Sequence, residues 1–560
     1  MGRRWVLPVA LLVPLYFGGV TILYAFSHGY IVQDDARLHI VWLQRFVDPR
    51  LFPQDAIANY YTSLQAVGFR LIYQAIAHLG LDPLVAAKCL PLPLALVATG
   101  YLVRLTAWLW PHPLAGLLVA LVFNQNVWLK DDLVSATPRA FVYPLFAAFL
   151  YYLVRRSPLP CLGVMALQGL IYPQLLLVSM ATLTVQWTRG RLTRSAQRGD
   201  GRLWLLGLGL TVAIALLFSR SVSQEWGELA TAAQMRAMPE FAVGGRRPYF
   251  GVSPLDFWFR GASGLRFPLF PPILWVAVGL PLLLVGRRQG KWQLAPVPAI
   301  APPVVVLVDV LLGSLGLFVL AHALFPRLYL PSRYTFYSSR LVMAIAAGLV
   351  LAWLVDLGWR WWQMGRSRPG GLSPRHRLGG ALVGLFAIAV IALPAIPPLF
   401  LDTHGWVIGT HPGLYRFLAA QPTDTLIASL SAEASNLPAF TQRSVLVSEE
   451  VAIAYHPRFY RQMAERMAAL VDLHYSPDRA TVRTVIQRYG IDYVLVESQF
   501  ASPDYLTRQT WLTHSVVQPS VEGAIAQLQD TPPALSSTIP HCTVFAEADL
   551  ILLSAPCIGG

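Results

Sequence analysis

Residues 30–61 read YIVQDDARLHIVWLQRFVDPRLFPQDAIANYY and follow the first strongly apolar run of the chain. The stretch opens on two adjacent carboxylates, Asp34 and Asp35, and closes on a third acid, Asp55, among aromatic residues. Between them Leu38, Val41, Trp42, Arg45 and Phe46 recur at helical spacing. That pattern predicts an amphipathic helix lying along a membrane surface. An acid-bearing polar stretch bracketed by apolar runs reads as the first outward loop of a polytopic membrane protein, and this reading sets the topology of everything after it.

Composition supports the same class. The 560 residues are 55% hydrophobic and only 13% charged, against about 25% charged in a soluble domain. Apolar runs of about 17–25 residues recur, the length needed to cross a bilayer as a helix. The net charge of +14 is mostly arginine gathered between apolar runs. Basic loops of that kind orient a protein in the membrane, so no nucleic-acid partner is expected.

Arg3 and Arg4 precede the run 5–26, which reads as an uncleaved first span with a cytoplasmic N-terminus. Residues 27–83 then form an outer-face loop, with a second surface helix at 69–81. Further spans are predicted at 84–110, 113–128 and 138–154. The run 159–187 is too long for one span and is broken at Tyr172-Pro173-Gln174, where proline disfavours a continuous helix. It reads as two short spans. Others are predicted at 203–218, 269–285 and 302–324, one ending near 357, and one at 379–400. The total is about eleven, with the arginine-rich loops all on one side.

Residues 1–400 thus form a transmembrane α-helical domain, and 401–560 a small extracytoplasmic α/β domain. Strands are predicted at 425–429, 444–448, 493–497 and 544–553, and helices at 460–473 and 479–489. Cys542 and Cys557 flank the last strands. They pair if this end meets an oxidising compartment, and otherwise stay as separate thiols. Cys89 and Cys161 lie in apolar runs and read as packed small residues. Nothing in 425–553 carries a nucleotide-binding glycine pattern, so no nucleotide-sugar donor is expected.

The chemistry-bearing candidates cluster at span ends. Asp34 and Asp35 precede a helix, where an aspartate serves either as an N-cap or as a general base with its pKa raised beside apolar walls. His39 is one turn after Asp35, within reach of a hydrogen bond to it. Asp131 and Asp132 are a second acid pair with Lys130 as counter-charge. They read as a solvated turn or, with a substrate phosphate, as ligands of Mg²⁺ or Mn²⁺. Arg139, Arg333 and Arg340 lie on the outer side, against the charge rule. They either snorkel to headgroups or grip a phosphate. Tyr329, Tyr334, Phe336 and Tyr337 read as interface-belt residues.

The Asp34-Asp35 pair after a first span, the helix behind it, the short paired spans around GLIYPQ (169–174), the RLYLPSRY loop (327–334) and the α/β tail together resemble the GT-C superfamily. Its members are polyprenyl-phosphate-sugar-dependent membrane glycosyltransferases such as protein O-mannosyltransferases and lipid A aminoarabinose transferases. The resemblance implies a multi-pass protein of the bacterial inner (plasma) membrane, with its C-terminal domain periplasmic. It implies a lipid-linked sugar donor, a glycan, lipid or protein acceptor, and inverting transfer to a hydroxyl with Asp34 or Asp35 as catalytic base. His39, Asp55, Arg139, Arg333 and Arg340 would contact substrate, and Asp131 and Asp132 would hold a divalent cation. The competing readings are a transporter or flippase of lipid-linked saccharides and a non-catalytic membrane scaffold. A transporter more often shows inverted repeats and ionisable groups at the bilayer midplane; here no internal repeat is evident and the acids sit at span ends.

Overall fold

A computed structural model describes residues 4–559 except 136, 194–197, 220–222, 289–301, 367–378, 383, 386–388 and 390–391. Among the described residues five helices are long and apolar enough to cross a membrane by themselves: Val6–Ala25, Pro83–Leu109, Asp200–Phe218, Pro302–Ala323 and Ser332–Arg360. Shorter apolar helices cover Pro113–Trp128, Pro138–Val154, Pro158–Ile171 and Pro272–Val285. The helices split where proline predicts: Pro158–Ile171 ends at Tyr172, and Pro173–Leu192 begins immediately after it. Part of the span predicted at 379–400 lies outside the described residues. The chain is a multi-pass membrane protein.

One apolar core runs through this bundle. One close crossing brings Ser332–Arg366 against Pro113–Trp128 at Gly348, where a Cβ would lie 2.6 Å from Val119 Cα. Asp309, buried in the helix Val306–Ala323, is matched in bidentate fashion by Arg189 at 2.9 and 2.7 Å. A carboxylate removed from water needs such a partner.

The stretch that opens the first loop is stitched to the far end of the chain. β1 (Ile31–Gln33) pairs antiparallel with β2 (Trp406–Ile408), Val32 opposite Val407. Asp34 N donates to Gly405 O at 2.9 Å. Beyond β2, strands β3 (Leu426–Ser429), β4 (Ser444–Val445), β5 (Tyr493–Glu497), β6 (Thr543–Glu547) and β7 (Leu550–Ser554) form one sheet in the order β4-β3-β5-β7-β6. β4, β3 and β5 are parallel, and β7 and β6 run antiparallel. The helices Pro457–Tyr475 and Arg479–Tyr489 lie in the connection between β4 and β5.

The predicted surface helix behaves differently. Helix Asp34–His39 stops at Ile40 and continues as a 3₁₀ turn, Val41–Phe46. Leu38, Val41 and Trp42 are not turned to lipid; they join a second core with Phe459, Met463 and Val494 of the C-terminal segment. Tyr60 stacks on Phe459 with ring centroids 3.6 Å apart. An apolar stripe has to be covered by something, and a protein surface covers this one.

Cys542 and Cys557 are joined in a disulfide that closes a 15-residue separation. Removing it with Cys542→Ser and Cys557→Ser should destabilise the C-terminal segment by about 3 kcal/mol, measured by denaturant unfolding. An unchanged midpoint, with no mobility shift on reduction, would show that the two thiols are unpaired.

Candidate functional site

The site is built at the end of the bundle where the helices meet the first loop. Gln33 caps the helix Asp34–His39: its Oε1 accepts from Asp35 N at 2.8 Å, and its Nε2 donates to His404 O at 3.1 Å. The cap is therefore a glutamine, and both aspartate side chains are left for other partners. They part company at once. Asp34 takes Arg37, which also donates to Asn436 Oδ1 at 2.7 Å and lies 3.7 Å from Glu450. Asp35 takes Arg139 from the start of the segment Pro138–Val154.

Arg139 ties two loops together. Its Nη2 donates both to Asp35 Oδ2 and, at 2.7 Å, to Asp131 Oδ2. Its Nε donates to Ser135 Oγ at 3.2 Å. Asp132, buried beside it, accepts from Tyr143 Oη at 3.1 Å. The acid pair predicted to act together is thus divided between an arginine and a tyrosine. Among the described residues no three of His, Cys, Asp and Glu are grouped as metal ligands. Asp131 is taken up by Arg139 and Asp132 by Tyr143, so each of the two carboxylates has a protein partner.

A basic wall faces these acids. Arg340 is buried, donates to Asn126 Oδ1 at 3.2 Å, and lies 4.4 Å from the centre of the Phe336 ring. Arg266 approaches the same ring at 4.9 Å. Arg333 donates to Tyr337 Oη at 2.8 Å. Burial, then the neighbouring Arg340 charge, pull the Lys130 ammonium below its usual range, opposed by Asp132 and Asp131. Tyr334 and Tyr337 are buried and not displayed as an interface belt: Tyr334 Oη donates to Leu328 O at 2.8 Å, and the Tyr337 ring packs edge-on against Tyr143.

His39 makes its hydrogen bond to Gln65, whose Nε2 donates to the ring Nδ1 at 3.1 Å; the bond expected to Asp35 goes to Arg139 instead. Burial pushes the imidazole down to about 4, against the pull of Asp35 and with that of Arg139, Arg247 and Arg333. It is a neutral ring in a basic setting at neutral pH. Asp55 stands apart, its Oδ1 accepting from Ile57 N at 2.7 Å and Ala58 N at 3.1 Å as the cap of helix Ala56–Ser63. Sequence reasoning gave no role to Arg37, Arg247 or Arg266. A signal existed for Arg37, which lies in the 27–83 loop read as outer, where the charge rule disfavours arginine.

Buried neutral histidines leave a mark on stability. His474, whose Nδ1 donates to Leu470 O at 2.8 Å, is also held down to about 4 by burial. The unfolded imidazole titrates near pH 6.5, so below that pH the unfolded chain binds the proton and the folded chain does not. The stabilisation is whole above about pH 6.5 and lost as pH falls towards 4, on the order of 3 kcal/mol for each such ring. The melting temperature of wild type should therefore fall more steeply between pH 6.5 and 4.5 than that of His474→Asn. Parallel curves would contradict a neutral buried His474.

No protein-family model matches the chain, and no curated protein matches it in sequence. Solved structures do match in fold. The apo oligosaccharyltransferase of Archaeoglobus fulgidus aligns over 93% of this chain and 72% of its own, at 10% identity and a TM-score of 0.55. The same enzyme tethered to an acceptor peptide aligns over the same shares at 12% identity and a TM-score of 0.53. The arabinofuranosyltransferase AftD from mycobacteria aligns over 99% of this chain but only 40% of its own, at 12% identity and a TM-score of 0.53. The likeness to these solved structures is one of fold.

Proposed function

We propose that this chain is a membrane glycosyltransferase that moves a sugar from a polyprenyl-phosphate-linked donor to an acceptor hydroxyl at the outer face of a bacterial inner membrane. The observation that supports the reading is the pairing of Asp35 with the half-buried Arg139, near the half-buried Arg333 and the buried Arg340, at one end of a bundle that shares its fold with glycosyl-transferring enzymes. In this reading about eleven spans, with the arginine-rich loops inside, leave that end and the C-terminal segment outside. The Cys542–Cys557 disulfide supports the same side, since disulfides persist in oxidising compartments.

Asp35 is the general base in this reading. It takes the proton of the acceptor hydroxyl, whose oxygen attacks the anomeric carbon from the face opposite the leaving phosphate, so the sugar inverts. The departing carrier phosphate would collect its negative charge against Arg333 and Arg340, held in place by Tyr337 and Asn126. Asp34 is held by Arg37 towards Asn436 and Glu450, and serves to seat the first loop on the C-terminal segment.

The test is a deletion strain examined for accumulated lipid-linked glycans. Accumulation reversed by wild type and not by Asp35→Asn is expected. An unchanged lipid-linked pool, or full reversal by both Asp34→Asn and Asp35→Asn, would overturn the reading.

A further inference from the structure

We propose that Arg139 is a built-in cation: its guanidinium occupies the place between Asp35 and Asp131 that a divalent metal ion would take, so the site works without one.

One nitrogen, Nη2, is bonded to an oxygen of each carboxylate. The two acids come from different loops, one after the first helix and one after the helix Pro113–Trp128. A cation shared in this way is what a bridging metal would supply to two carboxylates. The position of the nitrogen is set by a third contact, Nε to Ser135 Oγ at 3.2 Å, and the arginine side chain is only 17% exposed. The third acid of the cluster, Asp132, is turned to Tyr143 and does not complete a ligand set. The surroundings disfavour an added dication as well. Arg333, Arg340, Arg266 and Lys130 give the walls an excess of positive charge, which attracts a phosphate and repels a metal ion.

In this arrangement Arg139 is a positioning residue. It holds the Asp35 carboxylate in one orientation and gives it a fixed charge partner that no chelator removes. The inference rests on the proposed transfer reaction only for its consequence, that turnover is independent of divalent cations. The geometric claim has its own test.

Full-length protein in detergent is titrated with Mn²⁺, and free Mn²⁺ is read from its electron paramagnetic resonance signal. Wild type is expected to show no site that disappears in Asp131→Asn. Arg139→Gln, which uncovers both carboxylates, is expected to gain one Mn²⁺ at least tenfold tighter than wild type, lost again when Asp35→Asn is added. A wild-type Mn²⁺ site abolished by Asp131→Asn would overturn the proposal, and this arm needs no variant at Arg139. A folded Arg139→Gln or Arg139→Met protein that gains no Mn²⁺ would overturn it too, because the carboxylates would then not define a cation position. In the transfer assay, chelator is expected to leave wild type unchanged, and millimolar guanidinium is expected to restore part of the activity lost in Arg139→Gln. Absence of any transfer by wild type would count against the proposed function and leave the Mn²⁺ result to stand on its own.

Discussion

Asp35→Asn is expected to lower sugar transfer by about 10²–10⁴-fold while leaving the protein folded. The size is what the proposed role of Asp35 as general base requires, since the variant would lose the group that accepts the proton in the transition state. Folding should be spared because the helix cap does not involve the carboxylate: Asp35 contributes its backbone N–H to Gln33 Oε1, and asparagine keeps that bond. The side chain is 28% exposed, so its loss opens no cavity. Asp34→Asn provides the comparison. Its carboxylate is half exposed and paired with Arg37, so its replacement should cost transfer less than about tenfold, with some loosening of the contact to the C-terminal segment. Initial rates with purified variants, with melting temperature as the control for folding, decide between them. A larger loss in Asp34→Asn than in Asp35→Asn would move the base to Asp34.

The second large effect is expected at Arg340. It is 2% exposed, its Nε has no hydrogen-bond partner among the described residues, and its guanidinium meets Asn126 and the Phe336 ring. Arg266 lies against the same ring. A buried charge crowded by another of its own sign is costly by itself. An arriving phosphate would relieve that cost, since hydrogen bonds to charged groups contribute about 1.5–3 kcal/mol. Arg340→Met should therefore raise the donor KM by about 10–100-fold. The same change should leave the melting temperature unchanged or raise it, because an apolar group of similar length replaces an ill-paired charge. The two readouts move in opposite senses only if the arginine serves a ligand. A fall in melting temperature with an unchanged KM would make Arg340 a structural residue and remove it from the donor site.

The break at Tyr172-Pro173, the apolar helices, and the alternation of strand and helix after β2 are local properties, and they were readable from residue type and spacing. The chemical candidates were chosen on a local signal too. Acids and arginines at the ends of apolar runs stand out because burying them in lipid is expensive and placing arginine on the outer side is unusual.

Partnership was not readable. An apolar stripe at 38–46 says that one face must be covered, but not by what; lipid and the helix Pro457–Tyr475 satisfy periodicity equally well, and only the folded chain brings Phe459 to Tyr60. The same holds for the site. The sequence by itself determined a membrane-spanning chain with acids and guanidinium groups gathered at one end of its spans. The tertiary structure alone decided that Gln33 caps the helix, that Arg37 takes Asp34, that Gln65 takes His39, and that one nitrogen of Arg139 serves both Asp35 and Asp131. Local patterns record the cost of exposing or burying a group. Which partner offsets that cost is settled by contacts between residues up to several hundred positions apart, such as β1 with β2, and no periodicity encodes those.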